Sequence, residues 1–268
     1  MVAFLEFNYF SKALKTPTTV NVLLPEIEKK EEGAGAPEGE FSTLYLFHGM
    51  SSDHTTWLRR TDVDLYCKHY GIAIVMPEVG NNWYTDTAYG KGFLSFVGEE
   101  LPDVCARYFR GISTKKEKNL VAGNSMGGYG AVKAALTYPE RFGACISLSG
   151  SLDVTRKGRS VDLENWRGIF GFDLTSPLDL EGTEHDLFSL AEKQTKSGVT
   201  LPDFYLWCGT EDGLIGINRS FDAHLNRLKV PHFYEESEGN HSWKWWDLHL
   251  DRALRYYFPK NSTKEGAR

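Results

Sequence analysis

Asn119 to Leu136 reads NLVAGNSMGGYGAVKAAL, and this stretch decides the architecture. It opens on an apolar run, Asn119–Ala122, of the kind required by a strand buried on both faces of a parallel sheet. The run leads directly into Gly123-Asn124-Ser125-Met126-Gly127, and an Ala-rich helical stretch follows at once. Strand, G-x-S-x-G and helix in immediate succession describe a nucleophile elbow. The turn is so tight that a side chain at 123 or 127 would collide with neighbouring strand or helix backbone, so both positions must be glycine. Such a turn lifts the Ser125 hydroxyl to the carboxyl end of the sheet, above a helix N-terminus that favours developing negative charge. The five-residue pattern alone is weak; the flanking strand and helix give it weight.

Working outward, the same kind of apolar run recurs at Thr43–Phe47, Ile72–Met76, Ala144–Leu148 and Phe204–Cys208. Two further candidate strands lie at Phe4–Tyr9 and Thr19–Leu24, and HFYEES (232–237) reads as the last one. Helical periodicity fills the gaps, as in Phe93–Phe109, where Pro102 should kink or restart the helix, and Ala131–Tyr138. Strands alternating with helices predict an α/β fold with a mostly parallel central sheet flanked by helices. We expect one domain over 1–260, with 151–200 as an inserted, cap-like segment lacking a buried strand. The charged, Gly/Pro-bearing run Glu26–Glu40 is expected to be a mobile loop, and 261–268 a polar tail.

A serine needs a base to become a nucleophile, and in this kind of fold the chain order is Ser, acid, His. FYLWCGTEDGLI (204–215) is a buried strand ending in a polar turn with Glu211 and Asp212. The shorter Asp212 is the better holder of an imidazole, with Glu211 as the fallback. Of eight histidines, His241 in EGNHSW lies on the loop after the final strand, where a base must sit to reach back to Ser125. His224 and His249 fall inside helical patterns, His69 ends one, and His232 starts a strand. Two backbone N–H groups should receive the oxyanion: Met126, directly after the serine, and Met50, in the turn after LYLFHG. His48 precedes the serine, against the required order, so fixing that turn by hydrogen bonding is the better role for it. His54 either starts a helix or lines the pocket mouth. The loop NNWYTDTAYG (81–90) concentrates aromatics at the carboxyl end of the sheet, where open α/β sheets bind ligands. Trp83 and Tyr84 could therefore contact substrate, or could anchor the loop as buried rings.

Composition narrows the class. A net charge of -6, with basic residues scattered, excludes a nucleic-acid footprint. No run approaches the length of a membrane span, and MVAFLEFNYFSK does not read as a signal peptide. The four cysteines carry no C-x-x-C pair and sit in apolar contexts, which suggests buried free thiols and a cytoplasmic setting.

Taken together, FHGMSSDHTTWLRRT (47–61), NWYTDTAYG (82–90), GNSMGGYGA (123–131) and the His-x-Trp of HSWKWW (241–246) resemble the esterase D and S-formylglutathione hydrolase-like family of α/β-hydrolases. The resemblance is closest to its bacterial tributyrin-esterase branch and runs from about Phe4 to Phe258. It implies an α/β-hydrolase fold, hydrolysis of small acetyl-to-butyryl esters without metal or cofactor, and frequent homo-oligomers. It also implies the same catalytic roles for Ser125, Asp212 and His241. His48-Gly49-Met50 follows the esterase branch, whereas formylglutathione hydrolases carry a Ser-Gly-Leu-Thr-Cys type of turn that this chain lacks. Thioesterase, feruloyl or acetyl-carbohydrate esterase activity stand as alternatives, and a non-catalytic binding module as the rival outside enzymes. The segment Val161–Phe172 resembles the esterase-branch insertion and is expected to wall the pocket, with Trp83, Tyr84, Trp166 and Trp243 contacting substrate.

Overall fold

The structure, a computed structural model, describes residues 1–26, 40–155 and 162–259. Most of the charged run after Glu26, the start of the wall segment at Val161 and the C-terminal tail lie outside these residues.

Among the described residues eight strands form one sheet: β1 (Val2–Ser11), β2 (Thr16–Pro25), β3 (Thr43–Phe47), β4 (Ala73–Pro77), β5 (Asn119–Asn124), β6 (Ala144–Leu148), β7 (Asp203–Gly209) and β8 (His232–Ser237). Their order across the sheet is β1-β2-β4-β3-β5-β6-β7-β8. The β1–β2 hairpin is antiparallel and β2 runs antiparallel to β4; every other pairing is parallel. The mostly parallel sheet expected from the apolar runs is therefore present, with an antiparallel edge. The inner strands are buried along their whole length, which is why they read as continuous apolar runs rather than alternating ones.

From β3 the chain steps to β4 on one side, then crosses to β5 and proceeds outward to β8. The order thus reverses between β3 and β5, and the crevice outside their carboxyl ends is where such sheets bind ligands. Each sheet face carries its own core. Tyr45 and Phe47 of β3 join one cluster with the helix α5 (Met126–Thr137), while Leu44 and Leu46 join the other. The second cluster is covered by α1 (Thr56–Arg60), α2 (Val63–Tyr70) and α9 (Trp243–Tyr257).

The expected helix over 93–109 is divided. A short α3 (Phe93–Ser95) passes into a widened turn at Phe96–Glu100, and α4 (Leu101–Tyr108) restarts with Pro102 in its first turn. The Leu101 N–H bonds to the Phe96 carbonyl, five residues back. Pro102 has no N–H to continue the regular ladder, and the first turn of a new helix is where that loss is harmless. Between β6 and β7 the described part of the insertion consists of α6 (Leu163–Phe170), a short 3₁₀ turn at Pro177–Leu180 and α7 (Leu187–Ser197). It contains no strand among the described residues. α8 (Ile215–Leu228) connects β7 to β8. Cys67, Cys105, Cys145 and Cys208 are all free and buried, and no helix among the described residues is long and apolar enough to cross a membrane.

Candidate active site

Strand register assembles the site. Phe47 of β3 pairs with Gly123 of β5, so the two strands end side by side. Two residues further on, Gly49 and Ser125 are in contact range: a Cβ on Gly49 would lie 3.5 Å from the Ser125 Cβ. The elbow is as tight as its glycines suggested. A Cβ at 123 would sit 2.3 Å from the Gly127 carbonyl oxygen, and one at 127 would sit 2.4 Å from the Phe47 carbonyl oxygen. Ser125 itself adopts φ 54°, ψ −118°, a left-handed conformation that a non-glycine residue holds at a cost of about 1–3 kcal/mol. Its N–H is held by the Leu148 carbonyl and its carbonyl by the Ser151 N–H, both at 3.0 Å, so the end of β6 and the residues just after it fix the strained turn.

Further along the sheet, the β7 and β8 exits converge because two glycines touch. A Cβ on Gly209 would lie 2.1 Å from the Gly239 carbonyl oxygen, and the Glu211 N–H bonds to that same oxygen. This contact brings the Asp212 loop against the His241 loop. Asp212 and His241 meet at 2.8 Å (Oδ2 to Nδ1), and His241 Nε2 reaches Ser125 Oγ at 3.0 Å. The pattern assigns the proton on Nδ1, donated to the carboxylate, and leaves Nε2 to accept from the serine hydroxyl. Trp246 presents an edge-on ring 4.8 Å from the imidazole, bracing it from the α9 side. Asp212 is 3% exposed. Burial alone would raise its pKa; the bonds from His241 and the Leu214 N–H outweigh it and hold the acid below its ordinary value. His241 takes its carboxylate partner from Asp212, while Glu211 is held through its backbone N–H by the Gly239 carbonyl.

The turn after β3 carries Met50, whose side chain is exposed. His48 is buried; its Nδ1 lies 2.9 Å from the Gly49 carbonyl, and its Nε2 receives the Val79 N–H at 3.3 Å. Burial pulls its pKa down, so it is a neutral ring bonded within the turn, the role its sequence position suggested. His54 is tied to Glu78 through ring and backbone N–H, at 2.8 and 3.0 Å. Elsewhere, His224 and His249 are packed in the interior and His232 pairs with Asp222.

Among the aromatic expectations, that for Tyr84 needs correction. Tyr84 has no exposed surface: it stacks on Phe47 with centroids 4.5 Å apart and gives its hydroxyl to the His48 carbonyl at 2.8 Å. It is an anchoring ring, not a substrate contact. Trp83 is likewise interior, edge-on to Tyr129 and Trp166, and Trp166 packs on Phe170. These rings fasten the insertion to the loop after β4. Trp243, half-buried, lies edge-on between Trp57 and Trp246 at the start of α9. Sequence reasoning had no means to rank these rings, since an aromatic loop residue serves equally well as wall or wedge. It also missed Lys133, which is fully buried and bonded to Thr85 Oγ1 and, at 2.9 Å, to His185 Nδ1. That amine joins the elbow helix, the 81–90 loop and the insertion, and burial drags its pKa to about 7.

A cavity of about 500 Å³ bounded by Lys116, Asn119, Leu120, Leu201, Tyr257 and Phe258 opens at the amino end of β5–β7, opposite the serine, and takes no part in this site.

A switch-point crevice, a serine on a strained strand-to-helix turn and a histidine linked to a buried carboxylate define an α/β-hydrolase of the serine type. The chain belongs to the esterase family whose model, described as "Putative esterase", matches residues 11–257, and it is a carboxylic ester hydrolase of the esterase D-like group. It is 31% identical over 265 residues to an acetyl esterase of Caldicellulosiruptor saccharolyticus, covering 95% of this chain and 98% of that one. Among solved structures it resembles FphF, a fluorophosphonate-binding serine hydrolase of Staphylococcus aureus, at 31% identity and TM-score 0.86, over 96% of this chain and 98% of the other. It also resembles the S-formylglutathione hydrolase FrmB of Staphylococcus aureus, at 29% identity and TM-score 0.83, over 96% and 99% of the two chains.

Proposed function

We propose that this esterase hydrolyses short-chain acyl esters, acetyl to butyryl, through an acyl-enzyme on Ser125. The observation that carries the reading is the unbroken chain from Ser125 Oγ to His241 Nε2 (3.0 Å) and from His241 Nδ1 to Asp212 (2.8 Å), set on a left-handed elbow. His241 takes the Ser125 proton as Oγ attacks the ester carbonyl, and Asp212 steadies the imidazolium that forms. The Met50 and Met126 amides receive the oxyanion; neither N–H is spent on another bond among the described residues. The C–O bond to the alcohol breaks as His241 returns the proton to the leaving oxygen. Water then repeats the sequence at the acyl carbon and regenerates the serine. No step calls on a metal or cofactor.

The substrate is a small molecule reached from solvent, since His241 stands exposed at the mouth of the site. We further infer a cytoplasmic setting from four reduced, buried cysteines, and assembly into homo-oligomers from the family resemblance. A second reading, S-formylglutathione hydrolysis, draws on the FrmB likeness. The deciding experiment is a kcat/KM profile over p-nitrophenyl esters of rising acyl length, with methyl ferulate, an acetylated sugar and S-formylglutathione alongside. A peak between acetyl and butyryl that disappears in Ser125→Ala supports the proposal. Undiminished turnover in Ser125→Ala would sink it, and a dominant S-formylglutathione rate would shift the assignment to the thioester.

A further inference from the structure

Three consecutive peptides after β3 are held by side chains. The Tyr84 hydroxyl donates to the His48 carbonyl at 2.8 Å, and His48 Nδ1–H donates to the Gly49 carbonyl at 2.9 Å. Asn81 Oδ1 accepts the Ser51 N–H at 2.8 Å. A peptide unit is planar and trans, so its C=O and N–H point in opposite directions. Fixing the Gly49 carbonyl therefore fixes where the Met50 N–H points, because the two belong to one peptide plane. The imidazole that does this cannot swing away. It is 1% exposed, and its far nitrogen accepts the Val79 N–H, which leaves Nδ1 as the protonated, donating nitrogen.

The second clamp is equally confined. Tyr84 lies flat on Phe47, with rings 12° from parallel, and the elbow helix makes room for it with a glycine. A Cβ at Gly130 would lie 2.3 Å from the Tyr84 ring. Trp83 and Tyr84 both hold left-handed backbone, at φ 52° and 47°, and that conformation turns the hydroxyl toward the turn rather than toward solvent. Loop, turn and elbow helix thus meet at one phenol.

We infer that His48 and Tyr84 are positioning residues for the oxyanion hole, holding the Gly49–Met50 peptide so that the Met50 N–H faces the reacting carbonyl oxygen. This rests on the reading of Ser125 as nucleophile and of the Met50 and Met126 amides as oxyanion donors. Neither side chain touches substrate; each acts through the backbone it bonds.

The chain has four methionines, Met1, Met50, Met76 and Met126, so ¹⁵N-methionine labelling reports both donor amides in a nearly empty spectrum. The enzyme is labelled in this way and then phosphonylated at Ser125 with a p-nitrophenyl alkylphosphonate, which leaves a tetrahedral oxyanion mimic. In the wild type both the Met50 and Met126 amides should shift downfield. Tyr84→Phe, which removes one oxygen and keeps the ring, and His48→Leu should lose the Met50 shift and keep that of Met126. Their kcat on p-nitrophenyl acetate should fall about 10- to 100-fold, a part of what loss of a whole oxyanion donor removes, while KM changes little. His48→Asn, which retains a donor near the Nδ1 position, should restore both signal and rate to within a few-fold. An unaltered Met50 shift with wild-type kcat in Tyr84→Phe and His48→Leu overturns the inference and leaves the oxyanion assignment standing. A phosphonylated wild type whose Met50 amide does not move overturns that assignment, and the inference with it.

Discussion

Gly127 and Gly168 both lie in helices, yet the same added methyl group would meet opposite surroundings. At Gly127, in α5, it would press to 2.4 Å from the Phe47 carbonyl oxygen and 2.7 Å from that of His48. At Gly168, in α6 of the insertion, the nearest atom would be Tyr89 Cδ1 at 3.7 Å, an ordinary contact. The first region is built by backbone against backbone, with nothing that can yield. The second is built from short helices, each started by its own local cap: Asp162 accepts the Asn165 N–H, and Asp186 accepts those of Phe188 and Ser189. The contrast separates two ways of holding a shape. Around the serine, position is dictated by neighbouring strands; in the insertion local caps start the helices and side chains fasten them, which leaves room at Gly168.

Substitutions can break or sharpen that contrast. Gly127→Ala should have the largest effect, pushing the elbow off β3 and lowering kcat/KM by about 10²-fold or more even in protein that stays folded. Esterase assays on the purified variant would check it, and near-native turnover would refute the view of the elbow as unyielding. Next is Lys133, which joins the two regions. Between pH of about 7 and its unfolded value near 10.5 it is protonated in the unfolded chain but not in the folded one. Folded stability should therefore rise with pH across that window, by on the order of 1 kcal/mol per pH unit from this group. Thermal melts of wild type and Lys133→Met from pH 7 to 10 should diverge steadily with pH; parallel curves would refute the depressed pKa. A smaller loss is expected from Asp186→Ala, about 1 kcal/mol in urea unfolding from the missing cap, with little change in kcat. Gly168→Ala should do the reverse, stabilising by about 0.4–1 kcal/mol because the unfolded chain loses freedom that the folded helix never used.

The same contrast explains what could be read before folding. The elbow was legible because strand, turn and helix are adjacent in the chain and only glycine satisfies their contacts. Ser125 follows from that pattern, and chain order singles out His241 and Asp212, the two side chains hydrogen-bonded in line with it, whose catalytic roles belong to the proposal. The inner strands were legible because burial on both faces leaves no polar alternation to interpret. Tyr84 was not, because whether a loop ring turns inward depends on two left-handed residues and on the absence of a side chain at Gly130, forty-six positions away. The Gly209–Gly239 contact was equally hidden: each glycine looks like ordinary turn chemistry until β7 and β8 are paired. Lys133 reads as one charge on an Ala-rich helix, and only the packing of Thr85 and His185 over it reveals a buried amine. The widened turn before Pro102 was foreseen as a break but not in its form, since proline forbids one bond without saying which replaces it.

The four buried cysteines give the molecule a set of internal tripwires. Cys67 lies on α2, Cys105 on α4, Cys145 on β6 and Cys208 on β7, and burial raises every thiol pKa. A thiol that is both shielded and protonated reacts with an alkylating reagent only after its surroundings open. Each alkylated position therefore marks which part of the protein came apart, and the order in which the four are marked over time gives the sequence of opening across the sheet and its covering helices. The central β6 should be the last to take the mark.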